Sequence, residues 1–192
     1  MNKCNSTFLI YNRDIRIEHR NNDYFLVLQQ LEGKLNNQTE IENVCLHEAA
    51  HLIYFGRLGV TKLYLQIPWM FTEGALKFKY RVAAVGALKE QLAAFNIRRL
   101  VLLSRGMAAG GAFLRKAQGL SDGGDSDDHY EFLERCTKFC VDTGHAPFNR
   151  EKMWRRAKKH VEREIVRDPS FVANVRQAAS YLQKLLFYRL FA

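Results

Sequence analysis

His47-Glu48-Ala49-Ala50-His51 is the stretch of this chain whose residue types and spacing point most directly to chemistry. On a helix, positions i and i+4 lie on one face about one turn apart. Two imidazoles placed in that way can grip one zinc ion from the same side. Glu48 then stands beside the metal rather than in its ligand shell, where its carboxylate can take a proton from water. Zinc lowers the pKa of such a water toward ~7, which makes hydroxide available at neutral pH. The H-E-x-x-H spacing therefore predicts two metal ligands, His47 and His51, and a general base, Glu48.

A catalytic zinc ordinarily takes three protein ligands and keeps one position open. A third histidine six residues past the second is absent, because Arg57 holds that position. Glu73 falls in an expected turn, and Glu90 has no special context. The better source is the acidic, glycine-rich run Asp122-Gly123-Gly124-Asp125-Ser126-Asp127-Asp128-His129.

The elements that must position these groups can be read from periodicity. Thr39 and Glu42 have capping-box spacing. Ile41, Val44, Cys45, Leu52 and Phe55 then recur at helical intervals until Gly56 and Gly59. Val60 to Ile67 reads as a strand closed by Pro68, with Glu73-Gly74 as a turn and Ala75 to Tyr80 as the return strand. The first of these is a candidate edge for an extended substrate to pair with. Val82 to about Lys116 has a helical pattern in which Gly106, Gly110 and Gly111 interrupt the stripe or allow close packing. Tyr130 to Val141 reads as a helix, and Asn149 starts another with Trp154, Ala157, Val161 and Ile165 on one face. Asp168-Pro169 restarts a last helix that runs to about Phe191. Thr7 to Glu18 alternates in part like a strand.

The fold class expected is α+β and mostly helical: one domain, with a small sheet beside the zinc helix and a C-terminal helical part. Residues 1–38 form an N-terminal extension, 39–143 the zinc-site region and 144–192 the C-terminal helices. The chain has 192 residues, enough to bury a core without staples. Its four cysteines come without a leader-like apolar stretch or a run long enough to span a membrane. The expected location is cytoplasmic, with reduced thiols; Cys136 and Cys140 read as small buried side chains on one helix face.

From Val44 to Val141 the sequence resembles the peptidase domain of the FtsH-type AAA+ zinc proteases. Val44-Cys-Leu-His-Glu-Ala-Ala-His-Leu52 is similar to that family's zinc helix. Val60-Thr-Lys-Leu-Tyr-Leu-Gln-Ile-Pro68 resembles the strand that follows it. Arg105-Gly-Met-Ala-Ala109 resembles the Gly-Arg-Ala-Ala helix segment, and Gly124-Asp-Ser-Asp-Asp128 the segment whose last aspartate is the third zinc ligand. The resemblance implies a zincin-like metallopeptidase acting on accessible or unfolded polypeptide, with Zn2+ held by His47, His51 and Asp128. Asp125, Asp127 and His129 are alternative ligands, and Asp125 or Asp127 could orient a ligand histidine.

This sequence also departs from the family. Ala50 stands where the family has a small glycine, and Gly110-Gly111 replace a glutamate pair. No G-x-x-x-x-G-K-S/T phosphate loop is present, so unfolding of folded substrates would need a separate ATPase partner.

Two readings compete with the peptidase. One is a catalytically silent zinc-binding regulator or adaptor, against which the intact Glu48 argues. The other is a nucleic-acid-binding module. The chain carries a formal charge of +9, and the segment from Arg150 to Arg167 is dense in Lys and Arg. Excess charge favours polyanions in general without naming one. Glu151, Glu162 and Glu164 are interspersed, so the segment reads as a solvated face that equally suits an acidic partner protein.

Overall fold

The computed structural model describes residues 5–10, 13–19, 38–59, 62–66, 69–72, 75–78, 81–83, 96–121 and 123–191, with side chains over 42–59, 96–121 and 123–184. The metal-motif helix, α1 (Gln38–Arg57), starts one residue ahead of the threonine expected to cap it. Every residue from His47 to Gly56 is buried, so α1 runs through the interior instead of lying on it.

Helix α2 (Ile97–Ala117) packs against α1. The sequence hides its start: Asn96 caps it by accepting a hydrogen bond from Arg99 N at 3.1 Å. Of the helical pattern expected from Val82, α2 covers the part from Ile97. Arg81–Ala83 is extended, and 84–95 lie outside the described residues. Helix α3 (Ser126–Thr143) ends at Gly144, whose φ of 65° is the left-handed conformation that glycine accepts without strain. Asn149 caps α4 (Arg150–Arg167) through Lys152 N at 2.8 Å. Asp168 caps α5 (Pro169–Phe191) through Phe171 N at 3.1 Å.

The core is the meeting of these five helices. Leu52 and Ile53 of α1 join Leu103 and Phe113 of α2, Phe132 of α3, Val161 of α4, and Phe171 and Val175 of α5. Trp154, Ala157, Val161 and Ile165 repeat at three- and four-residue intervals, which turns one stripe of an otherwise basic helix inward. Cys45 and Cys136 sit in this core as free thiols. Burial, aided by nearby Glu48 and Glu42 for Cys45, pushes both thiols up to about 12, so they behave as small apolar groups.

The expected α+β class, with a small sheet beside the metal helix, is overturned. The body whose side chains are described consists of five helices, with no strand or sheet in it. The reason lies in residue size. Ala49 and Ala50 on α1 and Ala109 on α2 are fully buried, Gly106 and Gly110 on α2 leave room for the Phe55 and His47 rings of α1, and α2 and α5 supply the cover expected of a sheet.

Outside that body, backbone segments pair in the order β1 (Asn5–Ile10), β2 (Arg13–His19), β3 (Lys62–Gln66), β6 (Arg81–Ala83). Asn5 is opposite Glu18, Arg16 is parallel to Lys62, and Tyr64 is opposite Ala83. Separately, β4 (Trp69–Thr72) pairs with β5 (Ala75–Phe78). The segment expected as a return strand for 60–67 thus pairs elsewhere. With β2 on one side and β6 on the other, β3 is not an edge that a substrate could extend. Val60, Ile67, Pro68, Glu73, Gly74, Glu90 and Asp122 lie outside the described residues. Among the described residues, no helix is long and apolar enough to cross a membrane.

Candidate metal centre

His47, Glu48 and His51 are only 9%, 8% and 5% exposed. Polar groups this deep need partners, since burying them unsatisfied costs about 1–3 kcal/mol each. The partners of the two rings define the site. His47 Nδ1 lies 3.1 Å from the carbonyl oxygen of Gly123, and His51 Nδ1 lies 2.8 Å from that of Gly106. A carbonyl only accepts, so each Nδ1 carries the hydrogen. In the neutral ring, Nε2 is then left with a bare lone pair.

Those two lone pairs converge. His47 Nε2 and His51 Nε2 are 3.0 Å apart, and Asp128 Oδ2 lies 3.0 Å from the first and 3.2 Å from the second. Three atoms bonded to one tetrahedral zinc at ~2.0 Å would be about 3.3 Å apart. Without a positive charge between them, three acceptors at this separation repel. Either a metal ion or added protons must satisfy the arrangement. Backbone carbonyls that fix the tautomer of ligand histidines are the usual outer support of such a centre.

Electrostatics point the same way. Burial pulls the His51 imidazole down, but the Asp128 charge, its hydrogen bond and Glu48 more than offset this and raise it to about 9. Burial likewise pushes Asp128 up, and the two histidines overcome it, holding the carboxyl well below the usual range. Both shifts have the same cause, the attraction between the Asp128 carboxylate and positive charge on the rings beside it.

The glycine pair of α2 explains how the rings fit. A Cβ on Gly110 would sit 2.5 Å from His47 Nε2 and Cδ2, and one on Gly111 would sit 2.6 Å from Asp125 Cβ. The departure from the resembled family at these two positions makes room for a ligand ring and for the loop that supplies Gly123. One turn earlier, a Cβ on Gly106 would meet the Phe55 ring at 2.1 Å.

Asp125 does not orient a ligand histidine, contrary to one expectation. Its Oδ2 accepts from Arg115 at 3.1 Å and is paired with Lys158 Nζ at 3.1 Å, while Arg115 Nε also donates to Glu162 Oε1 at 3.1 Å. Burial opposes its ionisation, but Lys158 and Arg115 prevail and hold its carboxyl below the ordinary value. This network straps the 123–125 segment to α2 and α4. It leaves Asp125 at the start of α3 with no capping bond of its own.

His129 is turned away from the other two histidines. It stacks on Trp154 with ring centroids 5.0 Å apart, and its Nε2 is 3.1 Å from Glu151 Oε2, inside ion-pair range but without hydrogen-bond geometry. Asp127 is exposed in the first turn of α3. Of the candidate third ligands, the structure brings Asp128 to the two imidazoles. Among the described residues, these three form the one group of His, Cys, Asp and Glu whose donor atoms all lie within 4.8 Å of each other.

Sequence reasoning missed Gly106 O, Gly123 O, Arg115 and Lys158. Backbone carbonyls have no sequence signature, and the two cations look like ordinary surface charges. The small residues at 106 and 110, one helical turn apart, were the one available signal. No protein-family model, curated protein or solved structure matches the chain.

Proposed function

We propose that this protein is a zinc metallopeptidase acting on accessible or unfolded polypeptide. His47, His51 and Asp128 would hold Zn2+, and Glu48 would serve as general base. The observation that carries the reading is the convergence of two tautomer-fixed imidazoles and one carboxylate oxygen on a single point. When bound there, zinc supplies Lewis acidity toward water and toward a substrate carbonyl.

The chain's own residues supply the rest. Glu48 follows the first ligand on α1 and is close enough for its charge to raise His51. A buried carboxylate so placed takes the proton of an attacking water and returns it to the leaving amine. Asp128 would neutralise one of the two charges of the bound ion, and the Gly106 and Gly123 carbonyls accept from each Nδ1 so that each Nε2 faces Asp128. The order of motifs shared with the FtsH-type peptidase domain supports the peptidase reading over other zinc hydrolases. It implies a separate ATPase when the substrate is folded. The location proposed is the cytoplasm, where free thiols such as Cys45 and Cys136 persist.

The test is metal analysis of the purified chain joined to cleavage of a denatured protein, with and without chelator. About one zinc per chain and chelator-sensitive cleavage are expected. Glu48→Gln should keep the zinc and lose cleavage by about 10²-fold or more. Iron in place of zinc, or undiminished cleavage in the variant, would overturn the assignment. Stoichiometric zinc without cleavage, even with an ATPase present, would favour the silent regulator.

A further inference from the structure

We propose that the groove between α2 and α4, away from the metal centre, docks an acidic amphipathic stretch of polypeptide. The groove encloses about 690 Å3. Its floor is apolar, formed by Ile97 and Val101 of α2 with Phe148 and Met153. Its rim is cationic: Lys152, Arg156, Lys159 and Arg163 follow one another at four- and three-residue steps along α4, and Arg105 faces them from α2. At 1.5 Å per residue, that row spans about 16 Å, three helical turns.

The charges are available. Lys152, Arg156 and Lys159 are exposed, and among the described residues none has a carboxylate within ion-pair range. The glutamates of α4 pair with other groups: Glu151 with His129, Glu162 with Arg115, and Glu164 with Tyr54, Arg57 and His160 at the groove wall. A row of exposed cations above an apolar floor matches a helix carrying carboxylates along one stripe and Leu-like side chains on the next.

A nucleic-acid strand fits less well. Base recognition in such grooves relies on open aromatic faces. Here the two rings at the groove's end, His145 and Phe148, meet each other at 89° with centroids 5.8 Å apart. The apolar floor gives phosphates nothing. This inference does not rest on the peptidase reading, because no metal-site residue lines the groove.

The experiment is fluorescence anisotropy on the full chain with three labelled probes. The first is a helical peptide with glutamates at i, i+4, i+7 and i+11 beside a leucine stripe. The second is the same peptide with serine for leucine, and the third is an oligothymidylate of equal charge. The first should bind at least about tenfold tighter than either control. Arg156→Glu with Lys159→Glu should weaken it about tenfold or more while the thermal melt is retained. Met153→Ser, which leaves the charge alone, should weaken the leucine peptide and spare the oligothymidylate. Equal or tighter binding of either control, or unchanged peptide binding in the double variant, would overturn the proposal.

Discussion

At the scale of single residues, the proposed metal ion and protons would compete for the same lone pairs of His47, His51 and Asp128. In the metal-free protein, His51 is raised from its ordinary 6.5 to about 9. A folded-state pKa above the unfolded value means a contribution to stability that is complete below about pH 6.5 and lost as pH climbs through about 9. Asp128 has the opposite sign: its contribution is complete above its ordinary 3.8 and is lost as pH falls through its lowered folded value. The chelated protein should therefore melt at a lower temperature at pH 9 than at pH 6.5. Metal affinity should rise across the same interval, because the proton on His51 must leave before a cation can bind. Scanning fluorimetry in chelator, repeated with excess zinc, reads both effects. A chelated melt that is flat from pH 6.5 to 9 would mean that Asp128 and His51 are not paired as described.

At the scale of elements, the site depends on α2 and on the strap that ties the 123–125 segment to it. Gly110→Ala puts a methyl group where the His47 ring lies. It should cost about 1–3 kcal/mol of stability as an overpacked contact. It should also weaken zinc binding about 10–100-fold by displacing a ligand. Competition with a chromogenic chelator measures the affinity, and a denaturant melt the stability. The corresponding change in the strap, Asp125→Ala, leaves His47, His51 and Asp128 untouched but removes the carboxylate partner of Lys158 and one of the two of Arg115. Zinc affinity should fall about tenfold or more, because Gly123 O no longer fixes the His47 tautomer. Asp125→Asn, which keeps an acceptor for Arg115, should recover part of the loss. If both variants bind zinc like the parent, the strap plays no part in positioning the loop.

At the scale of the whole molecule, the proposed ligands come from two helices distant in sequence, α1 and α3, both packed against α2. An ion that binds only this assembled form stabilises it by mass action, about 2.7 kcal/mol at a free concentration one hundred times Kd. Saturating zinc should raise the melting temperature by several degrees, and His51→Ala or Asp128→Ala should abolish the shift. An equal shift in those variants would place the ion elsewhere. The basic face of α4 belongs to this scale too. One stripe is buried as core, Lys158 straps the 123–125 segment, and Lys152, Arg156, Lys159 and Arg163 line the groove.

How much of this was legible in the sequence depended on the range of the forces involved. His47, Glu48 and His51 share a face because helical geometry is local. The caps at Asn149 and Asp168 are equally local, and both form as their residue types dictate. Asp128 could be chosen from its loop only by resemblance, since spacing alone did not separate it from Asp125 or His129. Tertiary packing decided among them by assigning Asp125 to two cations and His129 to an indole. Packing also gave α1 its cover of helices, because Gly106 and Gly110 of α2 admit the Phe55 and His47 rings of α1, a relation no single segment displays. The carbonyls of Gly106 and Gly123 lay furthest out of reach: backbone oxygen is the same at every position, and only the folded chain determines which one meets a histidine.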